Sequence, residues 1–291
     1  MLDDVLQIVF SSLTLGSVYA LVALGLVLIF KAADLINFGQ GEWVLAGAYI
    51  ALTLLLWQLP LWAIFIVAPL LGALLGVLLD IGIFRRLAHS NAWIFVVASI
   101  AVGGLLREIA HFEYEANIFA FPSLFSRDSF EVADGVFLTQ HNIWVVVCTG
   151  LIVLLLWAFF GYTRLGRAMR AVAENRTGAV IVGINVRMML SLAFALSMAV
   201  STFAGLLVAP QVGVSPEMGS LVVKGFVAAA VGGLTSLGGA VVGGVVVALT
   251  ENLTNIYITT TYRDVVVFAL LLLVMWVRPT GLFGREEARR V

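Results

Sequence analysis

Apolar residues fill the chain in nine long runs, each bounded by polar residues, glycine or proline. Because a helix needs about 20 mostly apolar residues to cross a bilayer, runs of this length predict transmembrane helices. The predicted spans are residues 8–30, 39–57, 62–83, 92–111, 142–160, 189–209, 217–233, 238–256 and 264–278. The pattern therefore predicts an all-α polytopic membrane protein with one transmembrane domain over residues 1–291, in which some helices are broken or re-entrant.

Basic residues between the spans set the predicted orientation. If the segment 162–187 is cytoplasmic and the spans alternate, twelve of the sixteen Lys and Arg residues fall on the cytoplasmic side. Cytoplasmic loops carry an excess of these residues. We therefore predict an external N-terminus, a cytoplasmic C-terminus and an external polar loop over residues 112–141. If residues 31–57 dip into the membrane and return, the count becomes eight spans and the N-terminus becomes cytoplasmic.

Composition agrees with this class, since 62% of the residues are hydrophobic and only 11% are charged. A soluble domain carries about 25% charged residues. The formal net charge of −1 gives no basic surface for nucleic acid. Cys148 is the single cysteine, and the three histidines have no ligand spacing, so no metal site is expected.

The segment 162–187 combines five arginines with a single acid, Glu174. Thr163 is placed to cap a short helix, since a threonine hydroxyl accepts a hydrogen bond from an early helical amide. Along that helix Leu165, Met169 and Val172 form a narrow apolar stripe. Two interpretations follow: the arginines only fix the topology, or the segment docks on a cytoplasmic subunit.

Two polar interruptions separate small-residue spans, at residues 37–42 and 235–239. In transporters, paired breaks of this kind indicate the translocation path. The candidates for that path are Asn37, Gln40, Glu42, Thr235 and Ser236. The alternative for the first three is a place at the water interface, where an acid near a helix N-terminus is favoured.

The glycine-rich run 232–244 lacks the lysine with which a P-loop reaches phosphates. We therefore expect no ATP hydrolysis by this chain. Gly239 and Gly243 instead predict a helix face for close packing, as do Gly72 and Gly76 in the third span.

Ionisable residues also fall within the predicted spans: Arg107 and Glu108 close the fourth span, and Asp80, Lys224 and Glu251 lie in three others. We expect the Lys224 ammonium to extend to the interface, and Asp80 and Glu251 to be interfacial or paired. The sequence shows no chain of buried acids and histidines, which counts against a proton-driven carrier. It also has no His-Glu-x-x-His pattern, so an intramembrane enzyme is not expected.

Four segments, in order, resemble the LivH-type permeases, the membrane subunits of ABC importers for branched-chain amino acids. They are residues 35–42, 166–185, 232–244 and 278–284. The resemblance implies an ABC importer permease fold in the bacterial inner membrane, as a heterodimer with a second, LivM-like permease. It also implies two cytoplasmic ATPase subunits, which hold ATP and Mg, and a periplasmic substrate-binding protein. No cofactor is then needed in this chain.

In the family that this chain resembles, the cytoplasmic segment contacts the ATPase, so the resemblance makes residues 162–187 a coupling loop. The residues implied at that contact are Arg167, Ala171, Glu174, Asn175, Gly183 and Ile184. The implied substrate is a branched-chain amino acid, with other amino acids, amides or urea as alternatives. A self-contained secondary transporter or channel is the alternative function, and it would need neither ATP nor partner chains.

Overall fold

The protein is described by a computed structural model that covers residues 2–87, 91–114, 117–126, 128–133 and 136–284. Three of the tail arginines used for the orientation, Arg285, Arg289 and Arg290, lie outside these residues. The described chain is mainly α-helical. Its helices are Leu2–Ala33 (α1), Gln40–Leu56 (α2), Leu61–Leu79 (α3), Arg85–Leu87 (α4), Ala92–Tyr114 (α5), Gln140–Tyr162 (α6), Arg164–Glu174 (α7), Arg176–Ile181 (α8), Val186–Val212 (α9), Leu221–Gly232 (α10), Leu237–Tyr257 (α11) and Arg263–Val277 (α12).

Each of the nine predicted spans corresponds to an apolar helix, but the helices differ in length. Seven in the described residues are long and apolar enough to cross a membrane. The other two are α2, with 17 residues, and α10, with 12. At 1.5 Å per residue, α10 is about 18 Å long, shorter than the roughly 30 Å hydrocarbon core. The apolar run 217–233 looked longer because it includes the 3-10 turn Pro216–Ser220.

The predicted external loop contains a β-hairpin. Strands Ser129–Ala133 (β1) and Val136–Thr139 (β2) pair antiparallel, with Phe130 opposite Leu138. The sequence indicated only a polar loop there, because five- and four-residue strands give too little alternation to stand out.

The chain divides into two compact units, each described by itself. The terminal unit comprises Met1–Val27, Phe125–Thr149 and Val223–Val291, and the central unit comprises Leu28–Leu124 and Gly150–Val222. The expected single membrane domain stays a prediction.

Close packing of small residues holds the terminal unit together. A Cβ atom placed on Gly16 of α1 would lie 2.7 Å from the Val245 Cα of α11. A Cβ atom on Gly243 would overlap the Ala228 carbonyl oxygen of α10. Gly239 likewise meets the Gly232 carbonyl group. The predicted glycine face of α11 is therefore confirmed as a backbone-to-backbone contact.

The segment after α12 completes the end of α10. The Leu282 and Phe283 amides donate to the Val231 and Gly232 carbonyl oxygens at 2.8 and 2.9 Å. These are two of the last carbonyl groups of α10, which have no partner within the helix. The motif at 278–284 therefore has a structural task, because it closes a short helix that ends in a glycine turn.

In the central unit, α2 and α3 pack on α9. Cβ atoms added to Gly47 of α2 or Gly72 of α3 would both collide with Thr202 of α9, and one on Gly76 would meet the Phe194 carbonyl oxygen. The predicted packing role of Gly72 and Gly76 is confirmed. Beside this contact the Phe84 ring packs against the Phe194 ring at a centroid separation of 5.0 Å, within a buried aromatic group.

Candidate functional site

The basic segment folds as two short helices with a polar residue at each joint. The Thr163 hydroxyl accepts from the Gly166 amide at 2.9 Å, as predicted, and so caps α7. Asn175 ends α7, and its side chain accepts from the Gly178 amide at 2.8 Å at the start of α8. Asn175 therefore ends α7 and caps α8, and so stabilises the bend between the two helices. A cap of this kind contributes about 1 kcal/mol.

Gly183 ends α8 in a Schellman motif. The Ile184 amide donates to the Ala179 carbonyl oxygen at 2.9 Å, and the Gly183 amide donates to that of Val180 at 3.0 Å. Gly183 has a φ of +81°, the left-handed conformation that this motif requires. Asn185 then caps α9 by accepting from the Met188 amide at 3.1 Å. Local hydrogen bonds therefore determine the path of the chain from α8 into α9.

The apolar stripe of α7 is only partly buried. Met169 and Val172 are buried in the central unit, whereas Leu165 is exposed. Arg176 also anchors the segment, because its guanidinium donates to the Ala32 carbonyl oxygen at 3.1 Å, near the C-terminus of α1. Cations are favoured at helix C-termini. The segment is therefore held against the membrane helices along one side.

The exposed residues of the segment include both arginines and aliphatic residues. Arg167, Glu174, Asn175 and Gly183 are exposed, while Ala171 and Ile184 are half-buried. Three other aliphatic residues of the segment are more exposed than Ala171 and Ile184. Val180, Ile181 and Val182 expose 60%, 80% and 73% of their surface. In the sequence, these three residues form a consecutive apolar run in an otherwise basic loop. We call the exposed surface of Val180, Ile181, Val182 and Arg167 the loop surface.

The first polar break enters the interior of the central unit. Asp34, with a φ of +55°, follows the end of α1, and α2 begins at Gln40. The Gln40 side-chain amide donates to the Ser197 hydroxyl at 3.1 Å and the Ser201 hydroxyl at 2.6 Å. Both serines lie near the middle of α9. The α2 N-terminus therefore lies beside the midpoint of a membrane-spanning helix.

Asn37 and Gln40 are completely buried and hydrogen-bonded. The Asn37 side chain accepts from the Gly39 amide and donates to the Gln40 side-chain oxygen, both at 3.1 Å. The Phe38 amide donates to the Ser99 hydroxyl of α5 at 3.1 Å. Asn37 therefore satisfies a backbone amide at the break, and Gln40 ties the break to α9 through side-chain hydrogen bonds.

Glu42 lies two residues further along α2, about half a helical turn beyond Gln40, and is placed differently. Its Oε1 lies 3.8 Å from an Arg107 terminal nitrogen, and its Oε2 is buried with no hydrogen-bond partner among the described residues. Arg107 donates its other terminal nitrogen to the Pro216 carbonyl oxygen at 3.2 Å. This is a loose ion pair in which both partners keep unused bonding capacity.

At the second break, in the terminal unit, Ser236 caps α11 by accepting from the Gly239 amide at 3.0 Å. Thr235 is half-buried. The turn is closed by the Ser236 amide, which donates to the Gly233 carbonyl oxygen at 2.9 Å. The glycine-rich run is therefore a turn and a helix start, as predicted.

Lys224 forms ion pairs within the terminal unit, and the expectation that its ammonium extends to the interface stays a prediction. Its ammonium pairs with Asp264 and lies 3.6 Å from Glu251, and the side chain is only 14% exposed. Glu251 is buried and also accepts from the Tyr19 hydroxyl at 2.8 Å. The partners lie on other helices of the terminal unit, so the sequence around Lys224 could not reveal them. Asp80 is paired as expected, with Arg85 at 3.0 Å.

Known proteins resemble the chain over nearly its full length. The family described as branched-chain amino acid transport system / permease component matches residues 8–275. The LivH protein of Salmonella typhimurium, named a high-affinity branched-chain amino acid transport system permease protein, is 33% identical over 98% of this chain and 97% of its own length. BraD of Pseudomonas aeruginosa, with the same description, is 33% identical over 98% of each chain. Among solved structures, PsaBC from Streptococcus pneumoniae in complex with Fab is similar with a TM-score of 0.47, at 15% identity over 96% of this chain and 94% of its own. That degree of likeness carries no functional argument.

Proposed function

Since this chain belongs to the family of permease components of branched-chain amino acid transport systems, we propose that it translocates branched-chain amino acids as the membrane subunit of an ABC importer. It is a multi-pass protein of the inner membrane and one component of a larger transport system. The observation that carries the proposal is the match to transport permeases over nearly the full length of both chains.

The proposed partners are a second, LivM-like permease, two ATPase subunits that bind ATP and Mg, and a periplasmic binding protein. The loop surface supports a place for the ATPase. Exposed aliphatic residues rimmed by charged ones are typical of protein contacts, and the surface stands on helices capped at Thr163, Asn175 and Gly183. A capped segment of this kind transmits displacement to α9, which starts at Val186.

Coupling requires that the ATPases contact the loop surface differently in their two states, because a partner that binds both states equally shifts no equilibrium. The proposed path residues divide into two groups. Asn37, Gln40 and Ser236 shape the two breaks, since their polar groups bond to the protein. Thr235 belongs with this first group at the second break, and Glu42, whose Oε2 has no hydrogen-bond partner among the described residues, is the candidate for contact with the solute.

Reconstitution tests the proposal. The four kinds of subunit, purified and placed in vesicles, are expected to accumulate labelled leucine only when ATP, Mg and the loaded binding protein are all present. Omitting the ATPases is expected to leave no accumulation. Leucine uptake by this chain alone, driven by an ion gradient, would instead indicate a secondary transporter.

A further inference from the structure

We propose that Glu42 and Arg107 form a recognition pair for the α-ammonium and α-carboxylate groups of an amino acid as it crosses the permease. The inference rests on the proposed function, because it names how the translocated solute is recognised. Its evidence is the state of the two side chains in the central unit, where each charge is only partly satisfied.

The Glu42 carboxylate has unmet hydrogen-bonding capacity. Its Oε2 is buried without a hydrogen-bond partner among the described residues, and Oε1 faces Arg107 only at 3.8 Å. A buried carboxylate oxygen without a donor is costly, and hydrogen bonds to charged groups are among the stronger ones. Glu42 is therefore placed to gain from an incoming cationic donor.

The Arg107 guanidinium is exposed and has unused N–H donors. Its side chain remains 43% exposed, although it lies seven residues before the end of α5, about 10 Å along the helix axis. Charged side chains within membrane helices face water-filled cavities or protein, not lipid. A guanidinium has five N–H donors, and this one uses one nitrogen on the Pro216 carbonyl oxygen. The rest are available to a carboxylate, in the bidentate geometry that guanidinium favours.

Two glycines lie close to the Glu42 side chain. Cβ atoms placed on Gly219 and Gly103 would lie 2.6 Å from Glu42 Oε2 and 3.0 Å from its Cγ, respectively. Any larger residue at Gly219 would displace the carboxylate. Two glycines on separate elements therefore fix its position without supplying a bond.

An amino acid fits this arrangement because the exchange conserves charge. One loose ion pair becomes two, Glu42 with the ammonium and Arg107 with the carboxylate, and no charge is left uncompensated away from water. A ligand with only one of the two groups would leave one partner of the pair unmatched. The pair therefore selects zwitterions.

Ligand binding to the assembled transporter without its binding protein tests this. In equilibrium dialysis, the wild type is expected to bind labelled leucine. Leucinamide and isocaproate each lack one of the two charges, and each is expected to bind with at least about tenfold lower affinity than leucine. Glu42→Gln should bring leucine and isocaproate to similar affinity. Arg107→Gln should bring leucine and leucinamide to similar affinity.

Control variants separate recognition from structure. Glu108→Gln, an exposed neighbour on α5, should bind like the wild type. Gly219→Ala should weaken leucine binding without any change of charge, while Gly104→Ala, where a Cβ atom meets nothing within 4 Å, should not. Equal weakening of all three ligands in Glu42→Gln and Arg107→Gln, or no leucine binding by the wild type, would overturn the inference. ATP-driven leucine uptake by the wild type in that case would leave the proposed function standing.

Discussion

Replacing Gly183 with valine is expected to lower leucine uptake per ATP hydrolysed about tenfold. Gly183 has a φ of +81° and is exposed, and a Cβ atom on it would meet nothing within 4 Å. The cost is therefore conformational: about 1–2 kcal/mol for a left-handed L-residue, and more for a β-branched one. A cost of that size lowers the population of the Schellman turn roughly 5–30-fold. Uptake and ATPase activity of reconstituted transporter measure the ratio.

A second substitution at the same position is the control. Gly183→Asn should stay near the wild type, because asparagine tolerates the left-handed conformation and ends helices in the same motif. Membrane insertion should be unchanged in both variants. An unchanged ratio for Gly183→Val would show that the turn does not transmit force, and an equal loss for both variants would point to the glycine surface instead of its backbone.

Replacing Lys224 with leucine is expected to destabilise the protein by about 3 kcal/mol, because removing one cation from the buried Glu251 carboxylate leaves that charge only partly compensated. Glu251, whose side chain is 5% exposed, would keep Tyr19 and the Arg263 guanidinium, whose Nε lies 3.7 Å away on a half-exposed side chain. At about 2–4 °C per kcal/mol, the thermal midpoint of the purified protein should fall by roughly 6–12 °C.

Two variants control for this. Asp264→Asn should cost less than about 1 kcal/mol, because the Asp264 side chain is 58% exposed and Lys224 keeps Glu251. The double variant Lys224→Leu with Glu251→Leu should regain most of the loss, since apolar replacement of a whole buried pair is often close to neutral. Equal midpoints for Lys224→Leu and Asp264→Asn would contradict the assigned burial.

Local features of the fold were predictable because their causes lie within a few residues. The Thr163 cap, the glycine faces at Gly72 and Gly239, and the position of both polar breaks follow from spacing alone. Helix length was less predictable. Hydropathy does not separate an apolar 3-10 turn from the helix that follows it, so α10 looked long enough to span.

The candidate site depended on distant contacts, and these were not predictable. Gln40 bonds to serines more than 150 residues away, and Glu42 faces Arg107 on another helix. The sequence marked Arg107 only as a charge near the end of a span. It showed the stripe of Leu165, Met169 and Val172, but the burial of Met169 and the exposure of Ile181 depend on packing against the membrane helices.

The central claim is that the 162–187 segment is the contact through which an ATPase drives this permease, and position 181 tests it most directly. A photoreactive maleimide is attached to Ile181→Cys in a Cys148→Ser background, with Ile118→Cys in the predicted external loop as the matched exposed control. The account predicts a cross-link from position 181 to the ATPase whose yield changes when ATP binds, and none from position 118. Labelling of position 181 from outside intact cells, with no cross-link to the ATPase, would contradict it.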